Sequence, residues 1–312
     1  MNIIFMGTPG FAVPSLEILL TNNYNISAVV TAPDKPRGRG QQVSFTPVKE
    51  AALNHQLPVL QPETLKNSEF ISALKNFHPD LFVIVAFRIL PEEVYSIPPK
   101  GAFNLHASLL PKYRGAAPIN WAIINGEKET GVTTFFLQET VDTGRIILTA
   151  KTAIHNDMTA GELYDVLSGI GAKTVLQTVQ VIESGNVNPQ KQDDILATPA
   201  PKIFKETCRI NWNQSSEKIH NFIRGLSPYP AAWTVHEEKV IKVFKSVISE
   251  LRMTNDELRF DAGSIIVENK RLLVRTGDGW IKILELQQEG KKRMSAEEFL
   301  RGYRFGEKDR FT

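Results

Sequence analysis

Leu81-Phe82-Val83-Ile84-Val85-Ala86 is an uninterrupted apolar run that is rich in strand-forming residues. A run of this length and composition is typical of a β-strand that is buried on both faces of a sheet. On either side of it, short apolar runs alternate with helical patterns over residues 1–187. This alternation predicts an α/β fold, a Rossmann-like, mainly parallel sheet with helices on both faces.

The predicted elements of this part of the chain follow from the same patterns. The strands are Asn2–Met6, Ile26–Thr31, Leu81–Ala86, Ala102–His106, Val132–Leu137 and Ile146–Ala150. The helices are Phe11–Asn22, Pro47–His55, Ser68–Phe77 and a longer one that opens at the capping box Thr159-Ala160-Gly161-Glu162 and ends near Glu183. Doubly wound sheets bind ligands at the carboxyl ends of their strands, so polar residues at those ends are candidate site residues.

The C-terminal part of the chain has a different pattern. Residues 190–206 are polar and contain two prolines, which predicts a linker between residues 1–189 and residues 207–312. Several short β-like runs follow, with a hairpin predicted at Gly277-Asp278-Gly279 and a second capping box at Ser295-Ala296-Glu297-Glu298. This pattern predicts a small OB-like β-barrel domain after the first domain.

An amide and an imidazole lie at the end of the predicted strand Ala102–His106. Because strand side chains alternate, Asn104 and His106 point to the same face, while Leu105 points to the other. Two adjacent polar groups are costly to bury without partners. The pair therefore lies either in a satisfied hydrogen-bond network or in an active site.

Asp142-Thr143-Gly144 lies in the connection between two predicted strands. One interpretation is that the Asp142 carboxylate orients His106 and stabilises its imidazolium form. The other is an Asx-turn, in which Asp142 accepts a hydrogen bond from its own backbone. Sequence spacing does not decide between the two.

Glycines and basic residues mark further loops. Gly7-Thr8-Pro9-Gly10 follows the first strand but lacks the full dinucleotide-binding spacing, so a tight turn is the simpler interpretation and an oxidoreductase is poorly supported. Lys35-Pro36-Arg37-Gly38-Arg39-Gly40 offers three cations in a stretch where we expect no regular structure. Phosphate binding and an ordinary solvated loop both fit it, and both also fit Lys291-Lys292-Arg293.

Composition limits the class of protein. The 312 residues are 42% hydrophobic and 22% charged, as in ordinary globular proteins, and no apolar run approaches a membrane span. We expect no secretion signal, and the one cysteine fits a reducing cytosol rather than a disulfide framework. No Cys/His cluster has zinc spacing. Residues 205–312 hold 20 Lys and Arg against 16 Asp and Glu, which is compatible with nucleic-acid contact but also with an ordinary surface.

Several motifs together resemble the folate-dependent formyltransferases. The segment Asn104-Leu105-His106-Ala107-Ser108-Leu109-Leu110-Pro111-Lys112-Tyr113-Arg114-Gly115 and the distant Asp142-Thr143-Gly144 carry the likeness to the whole family. The segments that resemble its tRNA-specific members are Gly7-Thr8-Pro9, Pro33 to Gly40, Pro47-Val48-Lys49, Ile223 to Ala231 and Gly290 to Met294. The likeness runs through nearly the whole chain in the same order.

The resemblance implies a function and a set of site residues. It implies transfer of a formyl group from 10-formyltetrahydrofolate to the amino group of methionine on initiator tRNA, by a cytoplasmic monomer that needs no metal. The implied catalytic residues are Asn104, His106 and Asp142. The implied folate contacts are Ser108, Leu109, Leu110, Pro111, Ala86 and Phe87. The implied tRNA contacts are Lys35, Arg37, Arg39, Lys291, Lys292 and Arg293, and Arg39 is expected to matter most.

Two places depart from the family pattern, and both border the expected folate pocket. Ala86-Phe87-Arg88 stands where the family often has Ala-Tyr-Gly, and Thr140-Val141 precedes Asp142 where Gly-Leu is common.

The chemistry of formyl transfer explains the residue types. Attack of an amine on the formyl carbon builds negative charge on its oxygen, to which Asn104 and His106 are expected to donate hydrogen bonds, with Asp142 holding His106. The nearest rivals are a formyltetrahydrofolate hydrolase and a sugar-amine formyltransferase, which would share these three residues. An RNA-binding module without catalysis is a rival of another class, and the three intact residues disfavour it.

Overall fold

The computed structural model describes residues 1–37, 42–249, 260–306 and 308–312. The chain divides into two compact units. Unit 1 comprises Met1–Gly115, Thr130–Thr152 and Tyr164–Ala200, and unit 2 comprises Ala116–Glu129, Ala153–Leu163 and Pro201–Thr312. Unit 2 therefore includes two segments that precede the predicted linker in the sequence.

Strands and helices alternate through the first part of the chain, as the sequence predicts. In chain order they are β1 (Asn2–Gly7), α1 (Val13–Thr21), β2 (Asn25–Val30), β3 (Lys35–Arg37), β4 (Gln42–Ser44), α2 (Pro47–Asn54), β5 (Val59–Leu60), α3 (Ser68–Asn76), β6 (Leu81–Val85), α4 (Glu92–Tyr95), β7 (Ala102–His106), α5 (Pro118–Ile124), β8 (Glu129–Phe136), β9 (Ile146–Ala153) and α6 (Ala160–Glu183). A 3-10 helix, Gly10–Ala12, precedes α1. The capping box predicted at Thr159 opens α6: the Glu162 amide donates to the Thr159 hydroxyl, and the Glu162 carboxylate accepts from the Thr159 amide.

The remaining elements are mainly strands. They are the 3-10 helices Asp194–Leu196 and Lys205–Cys208, then α7 (Ser216–Leu226), β10 (Ala232–His236), β11 (Lys239–Ile248), β12 (Ile265–Glu268), β13 (Arg271–Arg275), β14 (Trp280–Gln288), β15 (Met294–Ser295) and α8 (Ala296–Gly302). The capping box predicted at Ser295 and Glu298 is present at the start of α8. The segment predicted as a linker thus contains short helical turns.

Unit 1 is built on a sheet that, in the described residues, has the order β5-β2-β1-β6-β7-β8-β9. The pairs from β5 through β7 are parallel, and β8 is antiparallel to β7. The prediction of a mainly parallel, Rossmann-like sheet is therefore confirmed. The chain order reverses between β1 and β6, because β2 and β5 lie on one side of β1 and the later strands on the other. Sheets of this kind bind ligands at the carboxyl ends of the strands beside such a reversal.

The sheet of unit 1 is buried on both faces, as the apolar run of β6 predicts. On one face, Phe82 and Ile84 of β6 belong to a core that includes Leu74 of α3. On the other face, Leu105 of β7 lies so close to α6 that a Cβ added at Gly171 would be 2.7 Å from its Cδ2 atom. Helices therefore cover both faces and leave the carboxyl ends of the strands as the place for a ligand.

The basic segment after β2 differs from the prediction. We expected no regular structure from Lys35 to Gly40, and this is wrong at its start, because β3 pairs antiparallel with β4. Pro36 is compatible with such a two-stranded ribbon, since edge strands tolerate proline. At the base of the hairpin, the Asp34 carboxylate pairs with the Lys49 ammonium and accepts a 2.8 Å bond from Gln61. The bonds from Lys49 and Gln61 lower the pKa of Asp34, and the bond from Lys49 ties the base of the hairpin to α2.

Unit 2 contains an antiparallel sheet. In the described residues its order is β10-β11-β14-β13-β12, with β15 paired to β14. The hairpin predicted at Gly277–Gly279 connects β13 to β14, with a 2.9 Å bond from the Thr276 amide to the Gly279 carbonyl. Ile219 and Ile223 of α7 are buried in the core of this unit. The closure of the sheet into an OB-like barrel stays a prediction.

Candidate active site

His106 ends β7 and is almost completely buried. Its Nε2 atom lies 2.8 Å from the carbonyl oxygen of Tyr113. A carbonyl can only accept a hydrogen bond, so Nε2 carries a proton and donates it. The other ring nitrogen, Nδ1, lies 3.8 Å from Oδ2 of Asp142. This separation is too long for a direct hydrogen bond but lies within the range over which a carboxylate and a protonated imidazole attract each other.

Asp142 lies in the turn between β8 and β9 with a φ of 57°, a left-handed conformation that aspartate tolerates better than most residues. Its side chain is 11% exposed, and Oδ2 accepts a 2.9 Å hydrogen bond from the amide of Gly115. The carboxylate thus bonds to the backbone of a distant loop rather than to its own turn. Of the two interpretations left open by the sequence, the one that directs Asp142 toward His106 agrees with this geometry.

Asn104 lies two residues before His106 on β7, and alternation places both side chains on the face opposite Leu105. Asn104 is half-buried. Within the described part of the chain, its amide group has no hydrogen-bond partner. An amide held on the same strand as His106, with both N–H groups unused, is an available donor for a negatively charged oxygen.

The loop after β7 is held by internal hydrogen bonds. The Ser108 hydroxyl donates to the carbonyl of Lys112 over 2.6 Å, and the Thr133 hydroxyl on β8 donates to the carbonyl of Ser108 over 2.7 Å. The same hydroxyl accepts a 3.1 Å bond from the Leu110 amide. Of the folate contacts expected here, Ser108 and Leu110 are buried, while Leu109 and Pro111 are half-buried. The Ser108 hydroxyl shapes the loop.

Ala86 and Phe87 follow β6, at the carboxyl end beside the reversal of strand order. Ala86 is exposed and has a φ of 49°, an uncommon conformation for a residue with a side chain. The next residue, Arg88, donates to the carbonyl oxygens of Pro62 over 2.7 Å and Glu63 over 3.0 Å. The arginine that departs from the family pattern therefore ties the end of β6 to a neighbouring loop.

Of the residues expected to contact tRNA, Lys35 is exposed on β3, and the backbone of Arg37 ends the same strand. Arg39 lies outside the described residues. Lys291 and Lys292 are exposed in the connection between β14 and β15 of unit 2. The guanidinium of Arg293 pairs with Glu285 and lies 4.3 Å from the centre of the Phe244 ring. The ammonium groups of Lys291 and Lys292 are therefore more available to an external partner than the guanidinium of Arg293.

The motif from Ile223 to Ala231 contains an inward-facing arginine. Arg224 is 3% exposed and donates to the side-chain oxygen of Asn221 over 2.8 Å and to the carbonyl of Met158 over 3.0 Å. Burial lowers the pKa of Arg224, and burial likewise lowers the pKa of the neighbouring His220. In unit 2 this arginine holds the loop before α6.

Some residues that shape the site escape prediction from the sequence. Gln192 is buried, and its side chain bonds to Arg114 and to the backbone of Asp142 and Gly144. Its segment is polar and contains prolines, and the sequence therefore predicts a linker there. Tyr113 contributes a carbonyl, which no side-chain pattern indicates. Arg114 stands in the quoted motif, but its position there does not indicate its partner.

Among the described residues, no group of three or more His, Cys, Asp or Glu side chains is arranged to hold a metal ion. None of the described helices combines the length and apolar character needed to cross a membrane.

Comparison with known proteins identifies the family. Residues 1–179 match the formyl transferase family, and residues 202–304 match the formyl transferase C-terminal domain. The methionyl-tRNA formyltransferase of Chlorobium limicola is 52% identical over 308 residues, covering 98% of this chain and 97% of that protein.

Solved structures share the fold. An N-formyltransferase from Helicobacter canadensis, in complex with folinic acid and dTDP-3-aminofucose, has a TM-score of 0.67 at 23% identity and covers 90% of this chain and 98% of its own. A methionyl-tRNA formyltransferase from Clostridium thermocellum has a TM-score of 0.56 at 17% identity and covers 81% and 96%. At these identities the two structures establish the fold, whereas the relative from Chlorobium limicola establishes the family. The chain belongs to the methionyl-tRNA formyltransferase family.

Proposed function

We propose that the protein transfers the formyl group of 10-formyltetrahydrofolate to the amino group of methionine on initiator tRNA, giving formyl-methionyl-tRNA for translation initiation. The observation that carries this proposal is the His106–Asp142 pair, 3.8 Å apart, beside the free amide of Asn104 at the carboxyl end of β7. The identity of 52% to a methionyl-tRNA formyltransferase over nearly the whole chain supports the same substrate class.

Asn104 is proposed to stabilise the tetrahedral intermediate. The amine nitrogen attacks the formyl carbon, and the carbonyl oxygen becomes an oxyanion. A hydrogen bond from the Asn104 amide to that oxygen is stronger in the transition state than in the ground state, which is what lowers a barrier. A preorganised donor of this kind contributes roughly 3–4 kcal/mol. The absence of a competing partner for the amide within the described residues supports this role.

His106 and Asp142 are proposed to manage charge and the amine proton. After attack the nitrogen is an ammonium and must lose a proton, while N10 of the folate must gain one as the carbon–nitrogen bond breaks. The Nε2 atom of His106 already donates to Tyr113, so Nδ1 is the nitrogen that exchanges a proton. The nearby Asp142 carboxylate compensates the positive charge of the doubly protonated ring. His106, which we expected to be a second donor to the oxyanion, is therefore proposed to exchange the proton instead.

The folate is proposed to bind at the carboxyl ends of β1, β6 and β7. The reversal of strand order between β1 and β6 supports this location, because α/β sheets bind ligands there. The contacts proposed are Ala86, Phe87, Ser108, Leu109, Leu110 and Pro111. The loop that follows β7 supports the same location, since two hydrogen bonds of the Thr133 hydroxyl hold its backbone.

The tRNA is proposed to contact the basic hairpin at Lys35, Arg37 and Arg39 and, in residues 207–312, Lys291, Lys292 and Arg293. Residues 1–189 would then carry the chemistry, 190–206 the connection and 207–312, with their OB-like sheet, further binding to tRNA. The exposure of Lys35, Lys291 and Lys292 supports an electrostatic role. We place the protein in the cytoplasm as a monomer.

The proposal is tested by offering the protein 10-formyltetrahydrofolate with charged initiator tRNA, with an amino-sugar nucleotide, or with water alone. We expect formyl-methionine on tRNA and little formylated sugar or free formate. Asn104→Ala should reduce turnover about 10²- to 10³-fold while tRNA affinity changes little. Asn188→Ala, which changes an exposed asparagine, is the matched control and should retain full turnover. Formate release without an amine would instead identify a hydrolase.

A further inference from the structure

Gln192 is a buried, fully hydrogen-bonded side chain in the segment predicted as a linker. It is 5% exposed. Its Nε2 group donates to the carbonyl oxygens of Asp142 and Gly144, both over 2.8 Å. Its Oε1 atom accepts from Nε and Nη2 of Arg114, over 3.1 and 2.7 Å. A primary amide has two N–H donors and one oxygen with two lone pairs, so this side chain uses its complete bonding capacity.

These four bonds join the loop after β7 to the turn that carries Asp142. Arg114 belongs to the loop after β7, and its neighbour Gly115 donates from its amide to the Asp142 carboxylate. Asp142 and Gly144 belong to the turn between β8 and β9. Asp142 is thus held at its carboxylate by one loop and at its carbonyl by Gln192, which itself holds that loop.

The chain around Asp142 has little freedom to find this geometry unaided. Asp142 adopts a left-handed conformation, with a φ of 57°. A Cβ at Gly144 would collide with the carbonyl oxygen of Phe136, so the turn runs directly against β8. A residue in such a conformation persists when its surroundings determine it. The two bonds from Gln192 to the carbonyl oxygens of Asp142 and Gly144 help to hold the turn in this conformation.

Arg114 anchors the other end of the arrangement. Its Nη2 atom also donates to Asp194 over 2.7 Å, and its backbone amide donates to the carbonyl of Thr198 over 2.9 Å. The segment that carries Gln192 therefore forms hydrogen bonds with both the side chain and the backbone of Arg114. The residue at position 192 must donate to two carbonyls at one end and accept from a guanidinium at the other. Among the common side chains of this length, glutamine does both, whereas glutamate cannot donate when ionised.

We propose that Gln192 is a positioning residue that sets the distance between the Asp142 carboxylate and the His106 imidazole. The inference rests on the proposed function for its kinetic test, since formyl transfer is the readout. A misplacement of about 1 Å in a reacting constellation costs up to roughly 100-fold in rate. Loss of Gln192 should therefore act on turnover and leave substrate binding almost unchanged.

The test uses Gln192→Glu, which retains an acceptor for Arg114 but loses both donations, and Gln192→Met, a near-isosteric variant that loses all four bonds. Gln190→Ala, an exposed glutamine two residues away, is the control. We expect kcat to fall about 10- to 100-fold in both Gln192 variants, with KM for each substrate within about threefold of wild type. An unchanged kcat, or a loss confined to KM, would overturn the proposal.

A double-mutant cycle and NMR spectroscopy separate positioning from general stability. In the Asp142→Ala background, Gln192→Glu should cost no more than about threefold, because residues that act through one another are not additive. In the absence of substrate, the imidazole NMR signals of His106 should shift in Gln192→Met in the same direction as in Asp142→Ala, and should be unchanged in Gln190→Ala. Additive kinetic losses, or unchanged His106 signals in Gln192→Met, would refute the role. The NMR comparison needs no substrate, so it tests positioning even if the protein formylates something other than methionyl-tRNA.

Discussion

Asp142→Asn separates the charge of Asp142 from its hydrogen bond. The Asp142 Oδ2 atom accepts from the Gly115 amide, and the amide oxygen of an asparagine is able to accept the same bond. The substitution therefore keeps the anchor to the loop after β7. It removes the negative charge that lies 3.8 Å from Nδ1 of His106. Any loss of activity then reports the charge rather than the placement of the turn.

The size of the effect follows from Coulomb's law. Two unit charges 3.8 Å apart interact by about 4 kcal/mol at an effective dielectric constant of about 20, and by about 2 kcal/mol at twice that value. The Asp142 side chain is 11% exposed and that of His106 is 6% exposed, so solvent screens the pair only in part. Each 1.36 kcal/mol changes a rate tenfold, so turnover should fall by roughly 30- to 1000-fold.

The assay is single-turnover formylation with enzyme in excess over charged initiator tRNA and saturating formyl donor, at low and high salt. The loss should persist at high salt, because a largely buried pair is little screened by ions. Asp142→Ala, which also removes the acceptor for Gly115, should lose at least as much. If Asp142→Asn retained turnover within about threefold of wild type, the charge of Asp142 would not assist the reaction. The hydrogen bond to Gly115 would then explain the residue.

Three further predictions concern the tRNA surface and unit 2. Arg39→Ala should weaken tRNA binding and reduce the slope of log affinity against log salt by up to about one unit, with single-turnover rate at saturation unchanged; an equal slope would exclude a phosphate contact. Arg224→Met should lower the free energy of unfolding by about 2–4 kcal/mol in urea, because a buried guanidinium and its acceptors lose charged hydrogen bonds. Asn221→Ala, which removes a single acceptor, should lower the free energy of unfolding by less. An equal or larger loss would show that the hydrogen bonds of Arg224 are not what stabilises unit 2. Burial lowers the pKa of His220, so the unfolded chain takes up a proton below about pH 6.5 that the folded state resists. Stability should therefore fall as pH drops from about 6.5, and His220→Gln should flatten that fall in urea titrations at several pH values; a variant as acid-sensitive as wild type would contradict this.

The predictions from sequence succeeded where one local pattern determines the structure. The continuous apolar run from Leu81 needs burial on both faces, and period-two alternation placed Asn104 and His106 on one side of β7. Capping boxes such as Thr159 with Glu162 carry their own hydrogen bonds within four residues. Local signals of this kind need no knowledge of distant parts of the chain.

The predictions failed or were incomplete where contacts between segments distant in sequence determine the structure. Gln192 lies 50 residues from Asp142 and 78 from Arg114, so its burial depends on contacts that no local pattern reports. The strand that begins at Lys35 was not predicted, because prolines and glycines argue against strands. It forms nevertheless, because it pairs with β4. Which nitrogen of His106 is free depends on the carbonyl of Tyr113, and a backbone group has no sequence signature.

The composition of unit 2 has a consequence for how the molecule is made. Its residues come from three separate stretches, and the last begins at Pro201. On the ribosome, α5 and the loop before α6 emerge well before α7, whose Gly225 carbonyl accepts a 2.8 Å bond from Asn120 of α5. Unit 2 therefore cannot complete its core until the C-terminal stretch is synthesised, whereas the last stretch of unit 1 ends at Ala200. A fragment starting at Pro201 would lack α5 and the carbonyl partners of Arg224. The C-terminal stretch alone is therefore not a complete unit 2.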